Sequence, residues 1–305
     1  MIKKKEKENL TDFNKLNYNI STDSGCDLSI DVCNEKGIIP LFMKYNLDVE
    51  TFTDSMEQVE IVKFYKKMEE EGKMFKTSAV NIQEAYDFLK ELLKYNKPII
   101  HISLGSGISG TYSNFLAARE MLDEKYPGNE IYIIDSTSAS LGYGILVLEA
   151  AKMRDEGKTT LEVVEYIESV KRGINPYFTT NTLTYLARGG RVTKIASIFG
   201  NVLSIKPILR LDYAGHLLVH TKGHGKANTY KKMIEAIKEQ VVNPEKQTLY
   251  VSHSNAIESA VEFAEMVKKE LGFKDIYYSY IGSIIGSHTG PGLIAVFFHG
   301  KNRFE

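Results

Sequence analysis

Cysteine is scarce in this 305-residue chain: only Cys26 and Cys33 are present, close together and without metal-ligand spacing. Two cysteines in so long a chain build no disulfide framework, so both are expected as reduced thiols in a cytoplasm. Long apolar runs are missing too, and no stretch approaches the roughly 18 apolar residues that a spanning helix needs. There is no excess of charge, the formal net value being -1. No basic field therefore gathers nucleic acid or an anionic membrane surface, although transient membrane contact stays open. Met1 to Asn9 is rich in Lys and Glu, with no apolar core segment, so a secretory signal is not expected there. Residues 1–17 read as a flexible extension. No internal repeat or low-complexity linker is visible.

What is present is the composition of a soluble globular protein, 43% apolar and 25% charged. The length suits two domains, and small or apolar ligands are the expected partners. From Tyr18 the pattern alternates strands and helices. A short strand at Tyr18 to Ser21 ends in Thr22, Asp23 and Ser24, polar residues where α/β proteins place sites. Helical spacing covers Gln58 to Glu70, and Asn81 with Glu84 forms a capping box for the next helix. Strands follow at Ile99 to Ser103 and Ile131 to Ile134, with helices at Ser109 to Lys125, through Gly142 to Asp155, and at Leu161 to Val170. This alternation predicts a doubly wound, mostly parallel sheet over residues 18–174. Asn175-Pro176 marks the boundary. Residues 175–305 read as an α+β domain with a mixed sheet, including a hairpin turning at Ala214-Gly215 and helices at Ala227 to Val241 and Ala256 to Leu271. Its strands are expected at Tyr177 to Thr180, Thr248 to Ser252, Tyr277 to Ile281 and Leu293 to Phe298.

The most informative segment is Ile99 to Tyr112, an apolar strand running into Ser103-Leu104-Gly105-Ser106-Gly107-Ile108-Ser109-Gly110-Thr111 before a helix. Small residues let backbone approach a ligand closely, and a helix start offers unpaired N–H groups and a positive dipole end. Ser106, Ser109 and Thr111 add hydroxyls. The plainer alternative is a helix cap with glycines in a tight turn. Gly105, Gly107 and Gly110 also spell a dinucleotide-type pattern with Asp135 downstream, which would suit an oxidoreductase. A serine acyl hydrolase would rest on Ser109 and His288. Neither has its full constellation in the sequence, since no nucleophile elbow is spelled. His216, His220 and His224 recur every four residues, but in a strand that spacing spans roughly 13 Å, too far for one metal ion.

Read together, Thr22-Asp23-Ser24 with Asp27-Leu28, Phe75-Lys76-Thr77-Ser78, the Ser-Gly-Thr loop, Leu186-Ala187-Arg188-Gly189-Gly190-Arg191 and Gly286-Ser287-His288-Thr289-Gly290-Pro291-Gly292 resemble the DegV family. Its members are similar to the lipid-binding subunits of bacterial fatty acid kinase. The match runs from about residue 18 to 300. Two departures are Ala79-Val80, where the family has Gln-Pro, and Gly105-Ser106, where it has two serines. The resemblance implies a long-chain fatty acid between two domains, no enzymatic activity of the chain itself, no cofactor, and a partner kinase that makes acyl phosphate. It places the carboxylate at Thr77 and Ser109, with the Gly110 N–H, Ser78, Ser106 and His288 nearby. His288 is expected in a glycine-rich loop. Arg188, Arg191 and Lys222 are the basic residues that would meet an anion or the partner. Candidate tunnel walls are Ile198, Phe199, Val202, Leu203 and Ile208, with Ile284 and Ile285.

Overall fold

A computed structural model describes residues 15–191 and 205–304. The residues 198, 199, 202 and 203 singled out as tunnel walls lie outside these, as does most of the N-terminal extension. Among the described residues no helix is long and apolar enough to cross a membrane.

The N-terminal half is built on four parallel strands in the spatial order Ile38–Leu41, Asn19–Asp23, Ile99–Ser103, Ile131–Asp135. The Asn19–Asp23 and Ile99–Ser103 strands are buried along their whole length, as central strands covered on both faces must be. The helix Gln58–Glu70 and the capping box of Ile82–Leu93 stand where the sequence places them. A second, antiparallel sheet of three short strands was not expected: Glu50–Thr53, Lys44–Leu47 and Lys76–Thr77. Thr77 pairs with Tyr45 in it.

The C-terminal half carries six strands in the order Leu217–His224, Ile205–Leu211, Ile174–Thr179, Ile294–His299, Thr248–His253, Asp275–Tyr280. All neighbours are antiparallel except the last pair, so the sheet is mixed. Asn175-Pro176 is part of a strand and not of a loop. Side chains alternate between the two faces. Tyr177, Ile208, Ile294, Val296 and Phe298 pack against the helices Gly225–Gln240 and Ile257–Leu271. Phe178, Leu209, Ala295 and Phe297 turn the other way and join the core of the N-terminal half.

The Leu141–Asp155 helix joins the two halves. It touches strands of both sheets, and its residues from Leu141 to Val147 are all buried. Apolar character on every side of a helix is what burial between two layers requires.

Candidate functional site

A narrow channel runs between the halves, with about 870 Å³ of space including its open mouth. Its walls are Met43, Leu104 and Ile108 from the N-terminal half, and Phe178, Leu211, Leu217, Ile284, Ile285 and Phe297 from the C-terminal half. Polar lining is confined to a few side chains, namely Thr77, Ser78, Ser109, Ser140, Arg191, His288 and Thr289. Ser140 Oγ lies 3.1 Å from Ser252 Oγ, and Thr289 donates to the Ile285 carbonyl at 3.1 Å. Both of these hydroxyls are engaged within the protein.

The donor end is assembled from two loops. Thr111, at the start of the Thr111–Lys125 helix, accepts from the Val80 N–H at 3.3 Å, and Asn114 donates to the Val80 carbonyl at 2.7 Å. These bonds stitch the Thr77-Ser78-Ala79-Val80 segment to the Ser109-Gly110-Thr111 turn. Gly110 is the helix N-cap and offers no side chain to close the first turn, which leaves the positive end of the helix beside the mouth. Ser109 Oγ accepts from the Thr111 N–H at 3.2 Å and lies 2.9 Å from Thr111 Oγ1. A hydroxyl has one proton and two acceptor lone pairs. Its proton is not used by the Thr111 N–H, and either hydroxyl of the Ser109–Thr111 pair can be the donor between them.

Across the mouth Thr77 Oγ1 meets His288 Nε2 at 2.6 Å. Burial and the nearby Arg191 guanidinium push the His288 imidazole down to about 4, so at neutral pH it is uncharged. With its proton on Nε2 it donates to Thr77, whose own hydroxyl proton then faces the channel. His288 Nδ1 has no hydrogen-bond partner among the described residues. Among the described residues no carboxylate is bonded to this imidazole, and the bonds of Ser109 go to Thr111.

His288 sits on a helix, Ser283–Thr289, and not in the expected glycine-rich loop. Gly286 is small for packing reasons, since a Cβ there would lie 2.5 Å from the Tyr65 hydroxyl and 2.9 Å from the Phe64 ring. Ile208 belongs to the sheet face that meets the helices, whereas its alternate neighbours Leu209 and Leu211 face inward. Ser106 turns away from the channel. Its N–H and hydroxyl both donate to Asp135, at 3.0 and 2.5 Å. Gly110, Arg188 and Lys222 are not among the lining residues either; Lys222 lies on the Leu217–His224 edge strand. Arg191 does line the mouth, and its Nε donates to the Ile108 carbonyl at 3.3 Å.

The glycine pattern also has an internal explanation. A Cβ on Gly105 would stand 2.6 Å from the Ser138 nitrogen, and one on Gly107 would stand 2.6 Å from the Ala214 carbonyl oxygen. Both glycines face protein backbone where a pyrophosphate would have to lie. Asp135, the residue for a ribose in the dinucleotide reading, instead holds Ser106 and the Thr137 N–H. Sequence reasoning passed over the role of Asp23, which anchors the loop by accepting from the Leu104 N–H at 2.9 Å and from the Tyr143 hydroxyl at 2.6 Å.

The molecule is thus an α/β protein with a mixed second sheet and a predominantly apolar channel between its halves. The DegV family model matches residues 17–301, and the chain belongs to that family. A DegV domain-containing protein of Clostridium perfringens is 38% identical over 93% of this chain and 98% of its own length. The crystal structure of DegV from Bacillus subtilis, described as a fatty acid binding protein, superposes with a TM-score of 0.80 at 26% identity. It covers 94% of this chain and 100% of that one. A fatty acid binding DegV family protein from Streptococcus agalactiae gives the same three figures for TM-score, identity and coverage of this chain, 0.80, 26% and 94%.

Proposed function

We propose that this chain binds a long-chain fatty acid between its two domains, residues 18–174 and 175–305. The tail lies in the channel, and the carboxylate meets Thr77, Ser109 and the helix start at Gly110. The observation that carries this reading is the distribution of polarity: walls of Phe, Leu, Ile and Met, and the hydroxyl-bearing Thr77 and Ser109 from two loops lining one mouth. Each buried methylene contributes roughly 0.8 kcal/mol, and each charge-assisted hydrogen bond to the carboxylate about 1.5–3 kcal/mol. The fatty acid binding described for the Bacillus subtilis and Streptococcus agalactiae relatives supports the assignment.

In this reading the protein is a cytoplasmic carrier without turnover of its own. It presents the carboxylate to a partner kinase that forms the acyl phosphate, with Arg191 at the mouth and Lys222 on the edge strand as the basic groups for that encounter. The resemblance to fatty acid kinase subunits motivates the partner. Native mass spectrometry of the purified protein tests the ligand: a bound mass equal to a fatty acid supports the proposal. A ligand-free protein that takes up no added palmitate or oleate ends it.

A further inference from the structure

Behind the channel helix Ser283–Thr289, on the side away from the ligand mouth, two carboxyl groups converge. Asp27 Oδ1 accepts the Gly282 N–H at 2.8 Å, and the Asp27 carbonyl accepts from the Ser279 hydroxyl at 2.6 Å. Asp54 Oδ1 accepts the Met56 N–H at 3.3 Å. One point beside Gly282, where a side chain would begin, lies 3.0 Å from Asp27 Oδ1 and 3.6 Å from Asp54 Oδ2. Both residues are buried, at 4% and 3% exposure. The second oxygen of each, Oδ2, has no hydrogen-bond partner among the described residues.

Among the described residues no positive charge balances them. The ionisable groups around the pair are Asp23 and Cys26 on the same segment, Tyr45 on the Lys44–Leu47 strand, Tyr65 on the Gln58–Glu70 helix and Tyr143 on the Leu141–Asp155 helix. His253, Tyr277, Tyr278 and Tyr280 line the adjoining cleft, where no lysine or arginine is found among the described residues. His253 is itself neutral, pushed down by burial to about 4. Two buried like charges this close, with no cation, cannot both be ionised. Burial, and then the neighbouring carboxylates for Asp27, raise both groups above the ordinary range. A single proton kept within the pair removes that repulsion, and the Ser140 hydroxyl beside Asp27 and the Ser24 and Ser283 hydroxyls beside Asp54 favour the charge that remains.

We propose that Asp27 and Asp54 share one proton and that the pair in this state is the positioning device for the channel helix, so that losing the proton loosens the ligand site. The route is short. Gly282 is the N-cap of the helix that carries Ile284, Ile285 and His288, and the Tyr65 hydroxyl pins the preceding Ile281 carbonyl at 2.8 Å. Ionising the second carboxyl sets two negative charges against one another at that anchor. The pair titrates as a unit. By reciprocity a ligand that needs the helix in place also holds the proton on. The ligand part of this inference rests on the fatty-acid reading; the shared proton does not.

The test measures palmitate affinity of the full chain from pH 5.5 to 9, for wild type, Asp54→Asn and Asp27→Asn. The wild-type affinity is expected to fall as pH rises through the titration of the pair, with a limiting slope of about tenfold per pH unit for one proton. In Asp54→Asn an amide N–H replaces the shared proton, and the ratio of wild-type to variant affinity isolates the pair from ionisation of the palmitate itself. A ratio that is constant across pH overturns the proposal. Carboxyl ¹³C titration by NMR of ligand-free wild type reads the proton directly: one of the two groups still protonated at pH 7 supports sharing, and both ionised at pH 7 overturns it. If palmitate does not bind at any pH while that carboxyl stays protonated, the pair stands and the fatty-acid reading falls.

Discussion

Thr77 Oγ1 and His288 Nε2 stand 2.6 Å apart although 211 positions separate them in the chain. One comes from a two-residue strand of the N-terminal half and the other from a helix of the C-terminal half. The contact joins the halves at the mouth of the channel.

From this contact and the Ser109 turn comes the first prediction. Thr77→Val with Ser109→Ala removes both hydroxyls and should lower fatty-acid affinity by about 1.5–3 kcal/mol for each lost charge-assisted bond. Isothermal titration on protein with an unchanged far-UV spectrum measures it. Ser106→Ala is the companion control: its hydroxyl serves Asp135, so affinity should change little.

The second prediction concerns acid. His288 is depressed from 6.5 to about 4 in the folded protein. The unfolded chain therefore binds more protons between those values, and stability from this group falls as pH drops through that window. Burial depresses His253 to about 4 as well, and the two act in the same direction. The buried carboxyls act oppositely, since raised groups give stability that is lost as pH rises. Urea unfolding of wild type and His288→Gln at pH 7 and pH 5 separates the effects, with the variant losing less stability on acidification. A bound carboxylate should also reduce the wild-type loss, because it raises the imidazole pKa.

Gly107→Ala tests whether the glycine pattern serves packing. The new methyl would meet the Ala214 carbonyl and the Gly215 backbone at 2.6 Å. Overpacking of this kind costs about 1–3 kcal/mol. Denaturant midpoints should fall accordingly, while NAD added to wild type should give no thermal shift. A stable Gly107→Ala protein, or an NAD-dependent shift, would revive the dinucleotide reading.

Channel length is the fourth. Ala295 lines the channel from the Ile294–His299 strand, next to Phe297. Ala295→Leu should shift preference toward shorter acyl chains, with each methylene that no longer fits withdrawing roughly 0.8 kcal/mol. Competition between C12 and C18 acids reads the shift.

The long elements were legible in the sequence because local signals agree there: the helical period of Gln58–Glu70, the capping box at Asn81 and Glu84, the apolar strand ahead of Ser103. The Lys76–Thr77 strand was not, since a two-residue strand exists only through its pairing with Lys44–Leu47 about 30 positions away. The Ser283–Thr289 helix was hidden by Gly286 and Gly290, residues that disfavour helix in isolation and are demanded here by the Tyr65 and Tyr185 rings. Thr77, Ser109 and His288 could be named from their motifs. Asp54 could not, because it carries no motif and acquires its meaning only where the hairpin brings it to Gly282.

The channel takes its walls from the six-stranded sheet, the Ser283–Thr289 helix and loops of the N-terminal half, so the tail of an occupant is held between the halves while its head faces the mouth. Parting of the halves frees that tail from both walls at once. Exchange is then timed by opening of the protein: at saturating competitor the release rate should level off at a value set by the fold, whichever incoming lipid is offered.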